Sequence, residues 1–125
     1  MSTELTPEEL LAPYPPTVRA IATDLRASIC REFPEVEEVV LPGSGVIGYL
    51  LPCGESTRQF GFLAPYEDRV VLGFEWGALM DDPFGLLEGD GKRVRNIVCR
   101  RHRAADCSKL RPYIRQATEL ATSRH

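Results

Sequence analysis

The sequence predicts an α+β domain: an antiparallel sheet of about five strands, with N-terminal and C-terminal helices packed on one face. Two stretches with apolar residues at helical spacing, near residues 17–31 and 108–121, flank a middle region of short β-rich runs. Turn compositions separate the runs, and connections this short join antiparallel strands. Strands grouped between helices, rather than alternating with them, are typical of the α+β class.

The N-terminal arm, residues 1–16, contains one short predicted helix. Thr6 suits the N-cap, Pro7 suits the first helical position, and Glu9 lies three residues after Thr6, so together they form a capping box. Because a proline cannot continue the helix, this helix should end before Pro13.

The first long helix is predicted from Thr17 to about Arg31, where Pro34 follows. Its apolar residues recur at steps of three and four and form one stripe: Val18, Ile21, Ala22, Leu25 and Ile29. Cys30 borders this stripe, and we interpret it as a packed residue rather than a reactive one.

The β-rich runs follow in order along the chain. They cover residues 38–41, 45–51, 57–63, 69–74 and, after a glycine-rich stretch, 94–100. The last helix should begin near Asp106 or Ser108, which places Pro112 in its first turn. Its predicted apolar stripe consists of Leu110, Tyr113, Ile114, Ala117, Leu120 and Ala121.

The length of 125 residues indicates a single domain, 1–125, that is large enough to bury a hydrophobic core without stabilisation by disulfides or a structural metal. Residues 1–62 hold nine acidic and four basic residues, net −5, whereas residues 63–125 hold nine and eleven, net +2. This charge separation favours complementary faces or one anion site, and the modest basic excess does not favour nucleic acid as a partner. No signal peptide, membrane span or CxxC motif is evident, so we expect a cytoplasmic protein with free thiols.

The glycine-rich stretch offers one candidate anion site. Gly85, Gly89, Gly91 and Lys92 do not fit a phosphate-binding P-loop, because Leu86 and Arg93 occupy positions that the motif needs for glycine and Ser/Thr. Glycine N–H groups with Lys92, Arg93 and Arg95 could still hold an anion. The alternative is a tight loop that needs positive φ at glycine.

Two other groups of residues are candidates for metal binding or catalysis. Cys99, His102 and Cys107 could ligate a metal but lack a fourth ligand at a standard spacing, and Cys99 with His102 could form a nucleophile and base. The acidic residues around Trp76 are interpreted as turn residues, with Asp81 and Asp82 before Pro83 capping backbone N–H groups. Because no nucleophile, base and orienting group come together, an enzyme is the least supported function.

One stretch also carries a family resemblance. The sequence DRVVLGFEWGA, followed by DDPFGLLEGDGKRVRNIV and the terminal KLRPYIRQA, resembles the YdhG-like family of bacterial domains over residues 18–121. This family has no assigned function and is similar in outline to the frataxin fold. The resemblance implies a helix, an antiparallel sheet and a helix, and also implies iron binding through acidic residues, here Glu35, Glu37 and Glu38.

The leading hypothesis is therefore a small binding module for an unidentified small molecule or anion. Its candidate ligand-binding residues are Trp76, Gly89, Gly91, Lys92, Arg93 and Arg95, with Phe60, Phe62 and Phe74 as further aromatic contacts on the sheet face opposite the helices. The first alternative is frataxin-like iron or metal binding, and no other cofactor is expected. The second is a protein-interaction module, for example a homodimer, which predicts an exposed apolar patch.

Overall fold

The computed structural model describes residues 5–101 and 107–123, apart from the side chains of residues 107 and 108. Its helices and strands, in chain order, are α1 Pro7–Leu11, α2 Pro16–Glu32, β1 Glu37–Leu41, β2 Val46–Cys53, β3 Ser56–Pro65, β4 Val70–Phe74, β5 Arg95–Cys99 and α3 Cys107–Ser123. A 3-10 turn, Gly77–Leu79, lies between β4 and β5. The predicted α+β class, with five antiparallel strands between helices, is confirmed.

The five strands form an antiparallel meander in the order β1-β2-β3-β4-β5. Short connections join β1 through β4, as the turn compositions predicted, and a longer segment, residues 75–94, joins β4 to β5. One face of the sheet packs against α2 and α3, and it carries buried residues from the three central strands, including Ile47, Leu63 and Leu72. These three residues are neighbours in the strand register, so they form one continuous apolar row beneath the helices.

Both predicted apolar stripes of the long helices face the core. On α2, Val18, Ile21, Ala22, Leu25 and Ile29 are all buried. On α3 the buried set is Leu110, Tyr113, Ile114, Ala117 and Ala121, and Leu120 is partly buried against the same cluster. No helix within residues 5–101 and 107–123 is long and apolar enough to cross a membrane.

The start of α1 forms as predicted. The Glu9 N–H donates to Thr6 Oγ1 at 3.1 Å, while the Thr6 N–H donates to Glu9 Oε1 at 3.0 Å. Each side chain thus satisfies a backbone donor that has no partner within the helix, and Pro7 occupies the first position.

The start of α3 corrects one prediction. Because the helix already includes Cys107, Pro112 is its sixth residue and lies beyond the first turn, and Ser108 lies inside the helix rather than at its cap. Pro112 therefore removes one helical hydrogen bond near the N-terminal end. The other predicted cap, Asp106, lies outside the described residues.

The predicted location of two aromatic residues was also wrong. Phe60 and Phe74 are 2% and 1% exposed and belong to the core beneath the helices. A β-bulge in the β2–β3 pairing inserts Phe60 as an extra residue, which places its ring 6.2 Å from that of Tyr49. Phe74 continues the inward-facing alternation of β4 and lies opposite Gly61, which leaves room for the ring.

Candidate functional site

A pocket of about 310 Å³ opens at the end of the sheet where β4 separates from β3. It is called here the arginine pocket, and its lining residues are Thr57, Arg58, Gln59, Glu75, Trp76, Arg93 and Ala121. The first residues of β3 extend beyond the last residue of β4, because the two strands pair only from Gly61 to Pro65 on β3. The pocket therefore occupies the gap between β3 and the chain that leaves β4.

The chain after β4 is held so that Trp76 and Arg93 meet. The Glu75 N–H donates to the Phe60 carbonyl at 3.0 Å, and the Ala78 N–H donates to the Arg93 carbonyl at 2.9 Å. A Cβ at Gly77 would lie 2.5 Å from the Cβ of Arg95, so only glycine allows this crossing. These contacts bring the segment before β5 against the segment after β4.

Arg93 and Glu75 form the paired half of the pocket. Arg93 Nη2 lies 3.0 Å from Glu75 Oε2, and the Arg93 guanidinium lies 5.2 Å from the centre of the Trp76 ring. Gln59 Nε2 donates to the other carboxylate oxygen, Oε1, at 2.8 Å. Both oxygens of Glu75 are thus engaged, while the side chain of Arg93 remains 57% exposed.

Arg58 is the unpaired half of the pocket. It lies opposite Leu51 in the strand register, and Leu51 is buried, so Arg58 is on the helix side of the sheet. Its Nε is enclosed and has no hydrogen-bond partner among the described residues. Leaving a buried donor unsatisfied costs roughly 1–3 kcal/mol, and more for a charged group.

The predicted ligand-binding residues separate into two groups. Trp76 and Arg93 lie together in the arginine pocket, whereas Gly89, Gly91, Lys92 and Arg95 do not line it. Arg95 instead donates to the carbonyls of Gly89 and Gly91, at 2.8 and 2.9 Å. Gly89 has a φ of +106°, as the tight-loop alternative predicted, and Lys92 is exposed. Arg95 thus closes the glycine loop through oxygen acceptors.

The acidic residues predicted to bind metal are spread over different surroundings. Glu38 accepts from Arg26 Nε at 2.8 Å and from the Tyr49 hydroxyl at 2.9 Å, whereas Glu35 and Glu37 are exposed. Within residues 5–101 and 107–123, no group of three or more His, Cys, Asp or Glu side chains is placed to hold a metal ion. Iron binding through these acids stays a prediction.

The Arg26 cluster, formed by Arg26, Glu38, Tyr49 and Glu8, is joined by ion pairs and hydrogen bonds. Arg26 also donates from Nη2 to Glu38 Oε1 at 3.1 Å and to Glu8 Oε1 at 3.0 Å. Hydrogen bonding to Glu38 raises the pKa of Arg26, and burial together with the nearby Glu38 charge raises the pKa of Tyr49. The cluster keeps a charged pair and a neutral hydroxyl in one arrangement, which is a structural role.

The Asp82 loop confirms the turn interpretation of the acidic stretch. Asp82 accepts from the Leu86 and Leu87 N–H groups at 2.8 and 3.2 Å, and the Tyr113 hydroxyl donates to its Oδ1 at 2.5 Å. Desolvation acts to raise the pKa of Asp82, but the hydrogen bonds from Tyr113 and the backbone outweigh it and lower this pKa. The loop is thereby tied to α3.

Cys99 is buried, and desolvation raises the pKa of its thiol to about 11. A thiol with such a pKa carries little thiolate near neutral pH, so the site does not favour the cysteine-nucleophile alternative. His102 and the side chain of Cys107, the other predicted partners, lie outside the described residues.

Comparisons of this chain with protein-family models, with curated proteins and with solved structures found no match. The resemblance to YdhG-like domains and the frataxin-like outline therefore stay predictions.

Sequence reasoning did not select Arg58, although Arg58 is the pocket residue with the most unusual surroundings. Its neighbours Gln59 and Thr57 were not selected either. A charged side chain opposite an inward-facing leucine would have been the signal, but reading it requires the register between β2 and β3. Glu75 had been noted only as one of several acids beside Trp76.

Proposed function

We propose that this chain is a small-molecule binding module, and that the arginine pocket binds a small organic anion with one carboxylate. The observation that carries the proposal is the enclosed, unpaired Nε of Arg58 in the wall of the pocket. A carboxylate in the pocket would accept charge-assisted hydrogen bonds from the Arg58 guanidinium, and because Nε is enclosed, a two-point contact that includes Nε requires this side chain to turn toward the pocket. Such a ligand would supply the partner that the fold leaves out.

The charge of the pocket favours a monoanion over a dianion. Arg58 and Arg93 contribute two positive charges and Glu75 contributes one negative charge, so the lining carries a net charge of about +1. Because Arg93 already pairs with Glu75, the Arg58 guanidinium is the group left for the ligand. A second negative charge on the ligand would meet the Glu75 carboxylate.

The size of the pocket and its aromatic wall limit the ligand further. A volume of about 310 Å³ is at the small end of the range for ligand sites. Trp76 offers a ring that a flat or apolar group can contact, and Ala121 on α3 adds an apolar surface. The proposed ligand class is thus a small carboxylate with a compact apolar or aromatic part, bound in the cytoplasm that the sequence predicts.

The experiment titrates the protein with benzoate, phenylacetate, acetate and inorganic phosphate. Trp76 is the only tryptophan, so its fluorescence reports directly on the pocket. Binding to the folded state stabilises it by roughly 2.7 kcal/mol when the ligand is at a hundred times its Kd, which corresponds to a rise in Tm of several degrees. We expect the aromatic carboxylates to raise Tm and change the fluorescence more than phosphate does.

Arg58→Met supplies the decisive variant and Arg19→Met its control, because Arg19 is exposed on α2. We expect Arg58→Met to weaken carboxylate binding at least tenfold, as loss of a charge-assisted pair requires, and Arg19→Met to bind like the wild type. The proposal fails if none of the four anions changes Tm or fluorescence, or if Arg58→Met binds as tightly as the wild type.

A further inference from the structure

The sheet face that points away from α2 and α3 is largely apolar, although the register also places Gln59 and Asn96 on it, opposite Leu50 and Gly73. It is called here the outer face, and its apolar residues are Val39, Leu41, Val46, Leu50, Phe62, Ala64, Val71 and Val98. All but the buried Ala64 are half-buried. The two long helices, α2 and α3, pack on the opposite face. A contiguous apolar surface of this kind is typical of an interaction site.

The middle of the outer face is flat. Phe62 lies between Gly48 on β2 and Gly73 on β4 in the strand register. A Cβ on Gly73 would lie 2.2 Å from Phe62 Cζ, so the ring lies down across the glycine instead of projecting. Sheets that pack face to face do so about 10 Å apart, and a flat centre suits that packing.

Opposite charges stand at opposite corners of the outer face. Glu37, in line with Leu50 at the start of β1, is exposed, and Arg100, which continues the alternation of Val98 beyond β5, is exposed as well. Neither residue makes an ion pair within residues 5–101 and 107–123. One surface thus offers an apolar centre, an acidic corner and a basic corner.

We propose that the outer face binds a second copy of this chain, in a twofold-symmetric dimer whose sheets pack face to face at a steep angle. A symmetric interface must be complementary to itself, and a surface with one acidic and one basic corner meets that condition. The twofold axis of this dimer lies in the plane of the interface and passes between the two charged corners. In that arrangement Glu37 of each copy faces Arg100 of its partner. The steep crossing corresponds to orthogonal sheet packing.

The area of the outer face sets the expected strength of the dimer. Five strands about 4.8 Å apart, each contributing about five residues of 3.3 Å, span roughly 24 by 17 Å, or about 400 Å² in plan. Standard interfaces bury about 800 Å² on each partner, so the rim around the apolar centre must take part. We therefore expect a reversible dimer with a Kd in the micromolar range.

Sedimentation velocity over a wide range of protein concentrations tests the proposal on the whole chain. We expect the mass to rise from that of one chain, 14.0 kDa, to twice that value as concentration increases. Phe62→Asp places a charge at the centre of the interface and should leave a monomer that retains the far-ultraviolet circular dichroism of the wild type. A monomer at every concentration, or a dimer that Phe62→Asp leaves intact, overturns the proposal.

Charge reversal at the corners tests the arrangement without altering the apolar centre. Glu37→Arg and Arg100→Glu should each weaken the dimer severalfold through repulsion, and the double variant should recover most of the loss because both pairs form again with reversed sign. Glu119→Arg is the control, since Glu119 is exposed on α3 at the other side of the molecule. The proposed arrangement is wrong if the double variant is weaker than either single one.

Discussion

Two arginines lie on the helix side of the sheet and differ in whether their donors have partners. Arg26 on α2 donates to Glu38 and to Glu8, and its side chain is 17% exposed. Arg58 on β3 is also partly buried, but its Nε is enclosed without any partner in the described chain. Arg26 is thus part of a hydrogen-bonded cluster, whereas the Nε of Arg58 is a donor without an acceptor in the described chain.

We interpret the paired Arg26 as structural, and the unpaired Nε of Arg58 is the feature on which the proposed binding role rests. A charged group that is paired with an opposite charge holds the arrangement around it, and its removal leaves the partner charge unpaired. A charged group with an enclosed free donor weakens the fold until something binds to it. The same substitution, arginine to methionine, should therefore have opposite effects on stability at the two positions.

Arg26→Met is expected to have the largest effect on stability. It leaves the Glu38 carboxylate, which is also 17% exposed, with the Tyr49 hydroxyl and the Cys30 thiol as neutral donors and no positive partner. Removing one partner of a fully buried pair costs roughly 3–5 kcal/mol, and because this pair keeps some contact with solvent we expect about 2–3 kcal/mol. Urea denaturation at neutral pH measures the loss. Arg19→Met, on the same helix and exposed, should change the free energy of unfolding by less than about 0.5 kcal/mol.

The Asp82 loop is a second region joined by hydrogen bonds and should behave like the Arg26 cluster, with a smaller effect. Asp82 is exposed, so Asp82→Asn should cost only about 1 kcal/mol at neutral pH. Because the folded state lowers the pKa of Asp82 below 3.8, the carboxylate contributes its stability above that pH and loses it as the pH falls through the lower, folded pKa. The difference between wild type and variant should therefore shrink in acid.

Urea denaturation at a series of pH values from neutral to acid measures this convergence. Asp90→Asn is the matched control, because Asp90 is exposed in the neighbouring glycine loop. A difference between wild type and Asp82→Asn that stays constant down to the lowest pH would show that the charge of Asp82 does not hold the loop.

The fold could be predicted from the sequence because its elements follow local rules. The spacing of Ile21 and Leu25, the capping box at Thr6 and the short turns each depend on residues close together in the chain. The position of Pro112 was missed because the sequence offers two cap residues, Asp106 and Ser108, and does not decide between them, which leaves the first turn undefined.

The arginine pocket could be predicted only in part. Trp76 and Arg93 were selected together from their neighbourhood in the sequence, but Arg58 depends on the bulge in β3. Strict alternation counted back from the inward-facing Leu63 predicts that Arg58 lies on the face away from the helices. The extra residue at Phe60 shifts this alternation by one position, so Arg58 lies on the helix side instead. Arg95 was predicted from its charge, and only the structure shows its donors bound to the carbonyls of Gly89 and Gly91.

Glu75→Gln tests whether the charge of the pocket lining determines which ligand charge the pocket prefers. The substitution raises the net charge of the lining from about +1 to about +2 and releases Arg93 from its carboxylate partner. We expect the affinity for inorganic phosphate to rise severalfold relative to that for benzoate, as measured by titration of the Trp76 fluorescence. An unchanged ratio of the two affinities would mean that Glu75 does not face the ligand.

The most direct test of the central claim is the Tm of Arg58→Met, measured with and without benzoate. The account predicts that the variant melts above the wild type without ligand, by the few degrees that correspond to about 1 kcal/mol, because an enclosed unpaired donor has been removed. It also predicts that benzoate, which raises the Tm of the wild type, no longer raises that of the variant. A variant that melts below the wild type and still responds to benzoate as the wild type does would contradict the claim.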